Sequence, residues 1–348
     1  MSNVESNQQG RLVRRKKAMA WSFVLMLLAV LVLPMSGYIY QGMSATAQAD
    51  GATWKNENPR SNFWRSVREG SEGYTANKDV SGVLINSAGQ NWRLLRNGPV
   101  ATLGAIGLFV SLAAIAFFYF KHGQVKIDNG RAGQTVERWT KNERILHWTV
   151  ASLFIILGIT GLSLLYGKAV LIPLLGAEGF AWYADLAKIL HNYLGPVFFI
   201  AIVILLSAWF KHNIIDKVDI EWFRHKAGVL GKPPHEHASA GRMNAGEKIW
   251  FWIIASAGIL VCLSGLVMDF PNLGWSHFTM QSANILHSTL ALIWVAVAFG
   301  HIYIGTAGSE GSLEAMTTGQ VDVEWAKQHH DLWYEEVKNS ASSSTENK

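Results

Sequence analysis

Apolar and polar positions in this chain segregate into long blocks rather than alternating. Six runs approach the roughly 20 apolar residues that a spanning helix requires: Met19–Tyr40, Pro99–Phe120, Ile145–Tyr166, Ala187–Phe210, Ile249–Phe270 and Ala283–Thr306. The last four are separated by moderate loops and form a compact group. The pattern therefore predicts an all-α integral membrane protein, with a four-helix transmembrane bundle over 145–306 and one additional helix ahead of it over 99–120. The first run is of another kind. Arg11, Arg14, Arg15, Lys16 and Lys17 precede the apolar stretch Trp21–Leu33, and Ala47-Gln48-Ala49 has the form of a cleavage site. Residues 1–49 read as a signal peptide or as an uncleaved N-terminal anchor, and both readings leave residue 50 on the outer side. Residues 50–98 are polar, lack a large core of their own, and read as an external segment whose Trp54, Phe63, Trp64 and Trp92 meet the membrane interface, a partner or the protein's own surface.

Charge then sets the direction of the spans. Segment 121–144 carries six Lys/Arg and segment 211–248 carries seven, whereas the alternate loops 167–185 and 271–282 hold one between them, Lys168. Basic loops stay in the cytoplasm. The loop 121–144 and the tail 307–348 are thus expected inside, and 50–98 outside. Charged residues make up 16% of the 348, against about 25% in a soluble domain, which excludes an ordinary soluble enzyme or a disordered chain. The net charge of +5 would suit a nucleic-acid binder, but the basic residues lie between apolar runs, so topology explains them and no nucleic acid is expected. The single cysteine, Cys262, can form neither an internal disulfide nor a CxxCH haem attachment, and cannot hold an iron–sulfur cluster.

Of twelve histidines, eight lie in loops, tails or span edges and read as solvated: His122, His212, His225, His235, His237, His277, His329 and His330. The other four, His147, His191, His287 and His301, lie inside spans, where an ionisable side chain marks a functional site by default. Given the span directions, His147 and His301 sit near the cytoplasmic face and His191 and His287 near the outer face. Each pair bridges different helices at one depth. His287 and His301 share a helix 14 residues apart, about 21 Å of rise and within about 40° of the same face. That arrangement suits two stacked haems, since low-spin haem iron takes two axial ligands. The competing reading is four hydrogen-bonded polar contacts between helices. Gly158, Gly161, Gly195, Gly258, Gly265 and Gly300 lie in the same spans and allow close approach of a porphyrin or of another helix. Pro196 is expected to bend its helix.

At these positions the chain resembles a known family. Glu143-Arg144-Ile145-Leu146-His147-Trp148-Thr149, Ile189-Leu190-His191, Met243-Asn244-Ala245-Gly246-Glu247-Lys248, Ile285-Leu286-His287 and His301-Ile302-Tyr303 are similar to the gamma subunit of respiratory formate dehydrogenase, a dihaem cytochrome b. The tail segments Gly311–Met316 and Trp325–His330 match too, and the resemblance covers roughly 135–336. Trp64–Gly70 and Arg96–Pro99 resemble the longer members of that family. The resemblance implies two haems b, with His191 and His287 holding the outer one and His147 and His301 the cytoplasmic one. It also implies a site for menaquinone, or ubiquinone, at Asn244, Gly246 and His301. The family has Tyr and Gln where this chain has Met243 and Glu247. Glu247 reads either as a proton carrier or as a helix-start acid facing the positive helix end.

Nothing in the sequence could oxidise formate. The resemblance assigns that step to an external molybdenum- or tungsten-containing catalytic subunit, with an iron–sulfur subunit feeding electrons into this chain in the bacterial inner membrane, and it leaves room for a higher oligomer of the complex. The nearest alternative is the cytochrome b subunit of a hydrogenase or thiosulfate reductase complex; a more distant one is a non-redox membrane anchor.

Overall fold

A computed structural model describes residues 73–74, 83–85, 87–224 and 238–346. The run Met19–Tyr40 with its signal-or-anchor reading lies outside the described residues, as do the segment Trp64–Gly70, His225, His235 and His237. Two compact units are present. Of the described residues, one unit comprises those up to Val100 with Pro271–Ser288, and the other comprises those from Ala101 to Phe270 and from Thr289 onward.

In the first unit a short strand β1 (Gly73–Tyr74) pairs antiparallel with β2 (Val83–Ile85), and helix α1 (Ser87–Leu95) runs into a wide, π-type turn at Arg96–Val100. Pro99 sits inside that turn, where its missing N–H interrupts the ladder least. The additional span therefore has helix ahead of its expected start, since the helical stretch begins at Gly89 rather than at Pro99. The indole N–H of Trp92 donates to Asn284 Oδ1 at 3.0 Å. Asn284 lies on helix α8 (His277–Tyr303), which begins in this unit and carries both His287 and His301.

The second unit contains α2 (Ala101–His122), α3 (Lys141–Val170), α4 (Ile172–Trp209), α5 (Lys217–Arg224), α6 (Ala245–Ile253), α7 (Ile259–Asp269) and the rest of α8. Five helical stretches among the described residues are long and apolar enough to cross a membrane: Gly89–His122, Lys141–Val170, Ile172–Asn213, Ala245–Asp269 and His277–Gly308. Among the described residues, α2 buries none of its own, and Phe109 and Phe120 are 73% and 85% exposed. In water such a surface would aggregate; in hydrocarbon it is at home, and the protein is a multi-pass, all-α membrane protein.

Two of the core helices start in the same way. Thr140 caps α3 by accepting from the Glu143 backbone N–H, while the Glu143 carboxylate accepts from Thr140 N. Asn244 and Glu247 repeat this capping box at α6. Each box satisfies backbone N–H groups that a helix start leaves unpaired.

The expected outer loop over 167–185 is helical. Only Leu171 separates α3 from α4, Pro173 occupies a first-turn position it tolerates, and the chain bends at Gly176, whose φ of 71° suits only glycine. Phe180 packs so closely on Gly167 that any side chain there would collide. Pro196 lies within α4, and Gly176 is the position in that helix where the backbone leaves helical geometry.

The loop 121–144 and the tail form a layer of their own. Strand β3 (Thr135–Glu137) pairs antiparallel with β4 (Gln320–Asp322), and the Asp322 carboxylate accepts from the backbone N–H groups of Ala132, Gly133 and Glu324. Around them lie α9 (Ser312–Thr317), α10 (Val323–His329) and α11 (Asp331–Glu346).

Candidate functional site

His147 lies in the second turn of α3 and His301 in the last turn of α8. Their ring centroids are 6.3 Å apart, with 50° between the planes. Trp250 of α6 stacks on His301 at 4.6 Å and 11°, and Trp148 meets His147 edge-on at 5.3 Å. Trp148 is itself held by its indole N–H on the Met316 carbonyl at 2.9 Å, and Arg144 donates to the Thr317 carbonyl at 2.6 Å. His147 Nδ1 is buried without a hydrogen-bond partner among the described residues. An unpaired buried nitrogen costs about 1–3 kcal/mol unless a group binds that nitrogen itself. Two imidazoles on opposite sides of one metal, with bonds of about 2 Å each, have centroids roughly 6 Å apart. The donor set and its spacing therefore fit a metal held between His147 and His301, as in a haem with two axial imidazoles.

His191 lies in α4, and its Nδ1 is 2.9 Å from Thr160 Oγ1 on α3. The Thr160 hydroxyl is 2.8 Å from the Ile156 carbonyl. A hydroxyl has one proton; donated to Ile156, it leaves the oxygen to accept from His191 Nδ1–H. That tautomer makes Nε2 the ring's acceptor nitrogen, the form a metal ligand takes. Gly161 admits the ring, since a Cβ there would stand 3.1 Å from His191 Cε1. His287 is half-buried on α8, in the unit that also holds Trp92.

At the start of α6, Asn244 uses its side-chain oxygen for the cap, accepting from Glu247 N at 3.0 Å. The cap leaves its Nδ2 amide group as a donor for something else. A Cβ on Gly246 would lie 3.2 Å from the Trp222 ring and 3.3 Å from Asn244 Oδ1. Glu247 has the helix-start role: one carboxylate oxygen accepts from Asn244 N at 2.9 Å and the other from Arg138 at 3.2 Å.

Arg138 and His330 escaped the sequence reading. Arg138 Nη2 donates to the Arg242 carbonyl at 3.0 Å and lies 3.0 Å from His330 Nε2, and its guanidinium stands about 5 Å from the rings of Trp139, Trp325 and Trp333. His330, expected to be solvated, is 1% exposed; its Nδ1 donates to the Gly241 carbonyl at 2.8 Å. Asp331 adds hydrogen bonds to Ala240 N and Ser239 Oγ. The tail is thereby tied to the loop that leads into Asn244. The flanking Trp325 and Trp333 were the available signal, since two large aromatics near a histidine in a polar tail imply a buried face.

Burial first, and the Arg138 charge second, hold the His330 imidazole well below its ordinary range; the Gly241 carbonyl and Asp331 oppose this only in part. A histidine whose folded pKa is depressed contributes stability above its unfolded value near 6.5 and loses it as pH falls below that value toward the folded one. Lowering the pH from about 7 to about 5 should therefore loosen the tail from the 238–241 segment. Faster amide hydrogen exchange at Ala240, Gly241 and Leu332 is the expected reading, and unchanged exchange there would refute it.

The chain matches the prokaryotic cytochrome b561 family over residues 138–319. It is 32% identical over 215 residues to the formate dehydrogenase cytochrome b556(fdo) subunit of Escherichia coli (strain K12), covering 61% of this chain and 98% of that protein. The nitrate-inducible formate dehydrogenase cytochrome b556(Fdn) subunit of the same strain is 30% identical over 200 residues, covering 56% and 88%. The formate dehydrogenase cytochrome b556 subunit of Haemophilus influenzae is 30% identical over 203 residues, covering 56% and 79%. The family match begins after α2 and includes His147, His191, Asn244, Gly246, His287 and His301.

Proposed function

Because this chain belongs to the prokaryotic cytochrome b561 family, we propose that it is the membrane cytochrome b subunit of a formate dehydrogenase, carrying electrons inward through two haems b to a quinone. The approach of His147 and His301 to 6.3 Å is the observation that carries this reading. Bound haem b supplies a one-electron iron couple. His147 and His301 hold the cytoplasmic haem from two helices, while Trp250 and Trp148 fix the planes of their rings. His191 and His287 hold the outer haem, with Thr160 setting the His191 tautomer; their common depth and the resemblance support this pairing. The chain lies in the bacterial inner membrane, as the resemblance implies, and thirteen Lys/Arg against one across the alternate loops support placing its basic loops inside.

Asn244 Nδ2 and the backbone N–H groups at the start of α6 supply donors to a quinone carbonyl. Gly246 keeps that helix start open, and the cytoplasm delivers the protons. The iron–sulfur subunit docks on the side of the membrane that the charge pattern assigns to segments 50–98, 167–185 and 271–282, and the catalytic molybdenum or tungsten subunit sits beyond it. Drawing protons from the inside while electrons arrive from the outside separates charge across the membrane.

Asn244→Asp separates the two roles of Asn244, because it keeps the capping oxygen and removes the Nδ2 donor. Pyridine haemochrome on the purified complex should give two non-covalent haems per chain in parent and variant, both reducible by formate. Quinone reduction by the variant should fall by about tenfold, as losing one hydrogen bond to a reacting carbonyl implies. Normal quinone reduction would remove Asn244 from the site, and a stoichiometry of one haem would overturn the two-haem reading.

A further inference from the structure

Three aromatic rings meet in the interior of the second unit. Trp294 of α8 lies 4.9 Å from Phe154 of α3 and 5.8 Å from Phe198 of α4, and these two are 6.3 Å from each other. Gly258, in the π-type turn between α6 and α7, completes the layer; a Cβ there would stand 3.0 Å from the Trp294 ring. All four core spans thus contribute to one level. Trp294 and Phe198 are 3% and 4% exposed.

The level is set by sequence spacing. Phe154 is seven residues from His147, Phe198 seven from His191, and Trp294 seven from both His287 and His301. Seven residues are about 10.5 Å and nearly two full turns, so each aromatic lies on roughly the same helix face as its histidine. The rings are therefore midway between the two histidine levels. A further feature marks Trp294: its indole N–H is buried without a partner among the described residues. That costs about 1–3 kcal/mol, which a Phe or Leu of apolar surface would avoid. A filler would not need an indole at this place.

We propose that Trp294 is the bridge for electron transfer between the two haem sites, with Phe154 and Phe198 packing it into a continuous aromatic layer. The inference rests on the two-haem reading above. Trp294 offers its π orbitals to one electron that leaves the outer ferrous iron, which becomes ferric, and reaches the inner ferric iron, which becomes ferrous. No bond forms or breaks, no proton moves, and Trp294 ends unchanged. Close packing matters because the coupling runs through touching atoms, and a void at this level interrupts it.

The test uses the whole complex in detergent, with Trp294→Phe and Trp294→Leu beside the parent. Haemochrome content and optical redox titration establish that both haems are present at unchanged potentials. A flash-excited ruthenium complex then reduces the haems, and microsecond absorbance follows redistribution of the electron between them. A several-fold slower redistribution in Trp294→Phe, and a slower one still in Trp294→Leu, is expected. Should the leucine variant fail to assemble, the phenylalanine variant decides alone. Two haems with parent-like redistribution in Trp294→Phe overturn the bridge and leave the two-haem reading intact, whereas a parent with one haem overturns both.

Discussion

Replacing His301 with alanine is expected to remove the cytoplasmic haem and leave the outer one in place, so that formate still reduces the remaining haem while quinone reduction collapses. His301 reaches the site from α8 while His147 comes from α3, and their rings stand 6.3 Å apart. One imidazole alone would hold the haem from α3 only. Even partners that only orient a metal ligand cost about 10–100-fold in affinity when removed, so loss of a ligand itself should exceed that. His147→Ala should give the same spectrum and His191→Ala the complementary one. Reduced-minus-oxidised difference spectra read the outcome directly. If His301→Ala and His191→Ala lost the same haem, the pairing by depth would be wrong.

A second large effect is expected at Glu247→Ala. The Arg138 side chain is 1% exposed and its charge is answered by Glu247 at 3.2 Å. Burial disfavours the charged guanidinium and Glu247 counters that. Removing one partner of a buried pair costs about 3–5 kcal/mol. Glu247 itself is 38% exposed, so solvent screening lowers the figure, and loss of the capping box adds about 1 kcal/mol, giving about 2–3 kcal/mol in all. Thermal unfolding in detergent, with proteolysis of the tail as a second reading, should show the variant several degrees below the parent. Glu247→Gln, which retains an acceptor for the Asn244 backbone N–H, should fall between them. Equal melting of the Glu247→Ala variant and the parent would mean that Arg138 does not depend on this partner.

The membrane spans and their four histidines were legible because hydrocarbon penalises ionisable groups so heavily that His147, His191, His287 and His301 stand out against runs of Leu, Ile and Val. Their depth is an expectation that rests on span limits and on the Lys/Arg asymmetry. The helical turn around Gly176 was not legible. Pro173 and Gly176 are local breakers in any sequence rule, yet one suits a first turn and the other permits a single sharp bend, so helix resumes at once. Nor was the fate of His330. Its partners Arg138 and Gly241 are 192 and 89 residues away, and no periodicity within a polar tail encodes such distant contacts. Asn244 entered the sequence reading through the family resemblance, but its duty as a helix cap became visible only with the Glu247 geometry.

One helix, α8, carries the histidines of both levels, 14 residues apart. The roughly 21 Å between them is about 0.7 of the hydrocarbon thickness, so on the two-haem proposal an electron passing between their levels would cross most of the insulating layer. Against an interior-negative voltage that passage requires work of about 1.6 kcal/mol per electron for every 100 mV, scaling the full-crossing value of about 2.3. On the two-haem proposal, the spacing along α8 would make this chain an element of a voltage-generating circuit whose current falls as the membrane charges: an energised cell would hold the cytoplasmic haem more oxidised than the outer one, and collapsing the voltage with an ionophore would release the electrons inward.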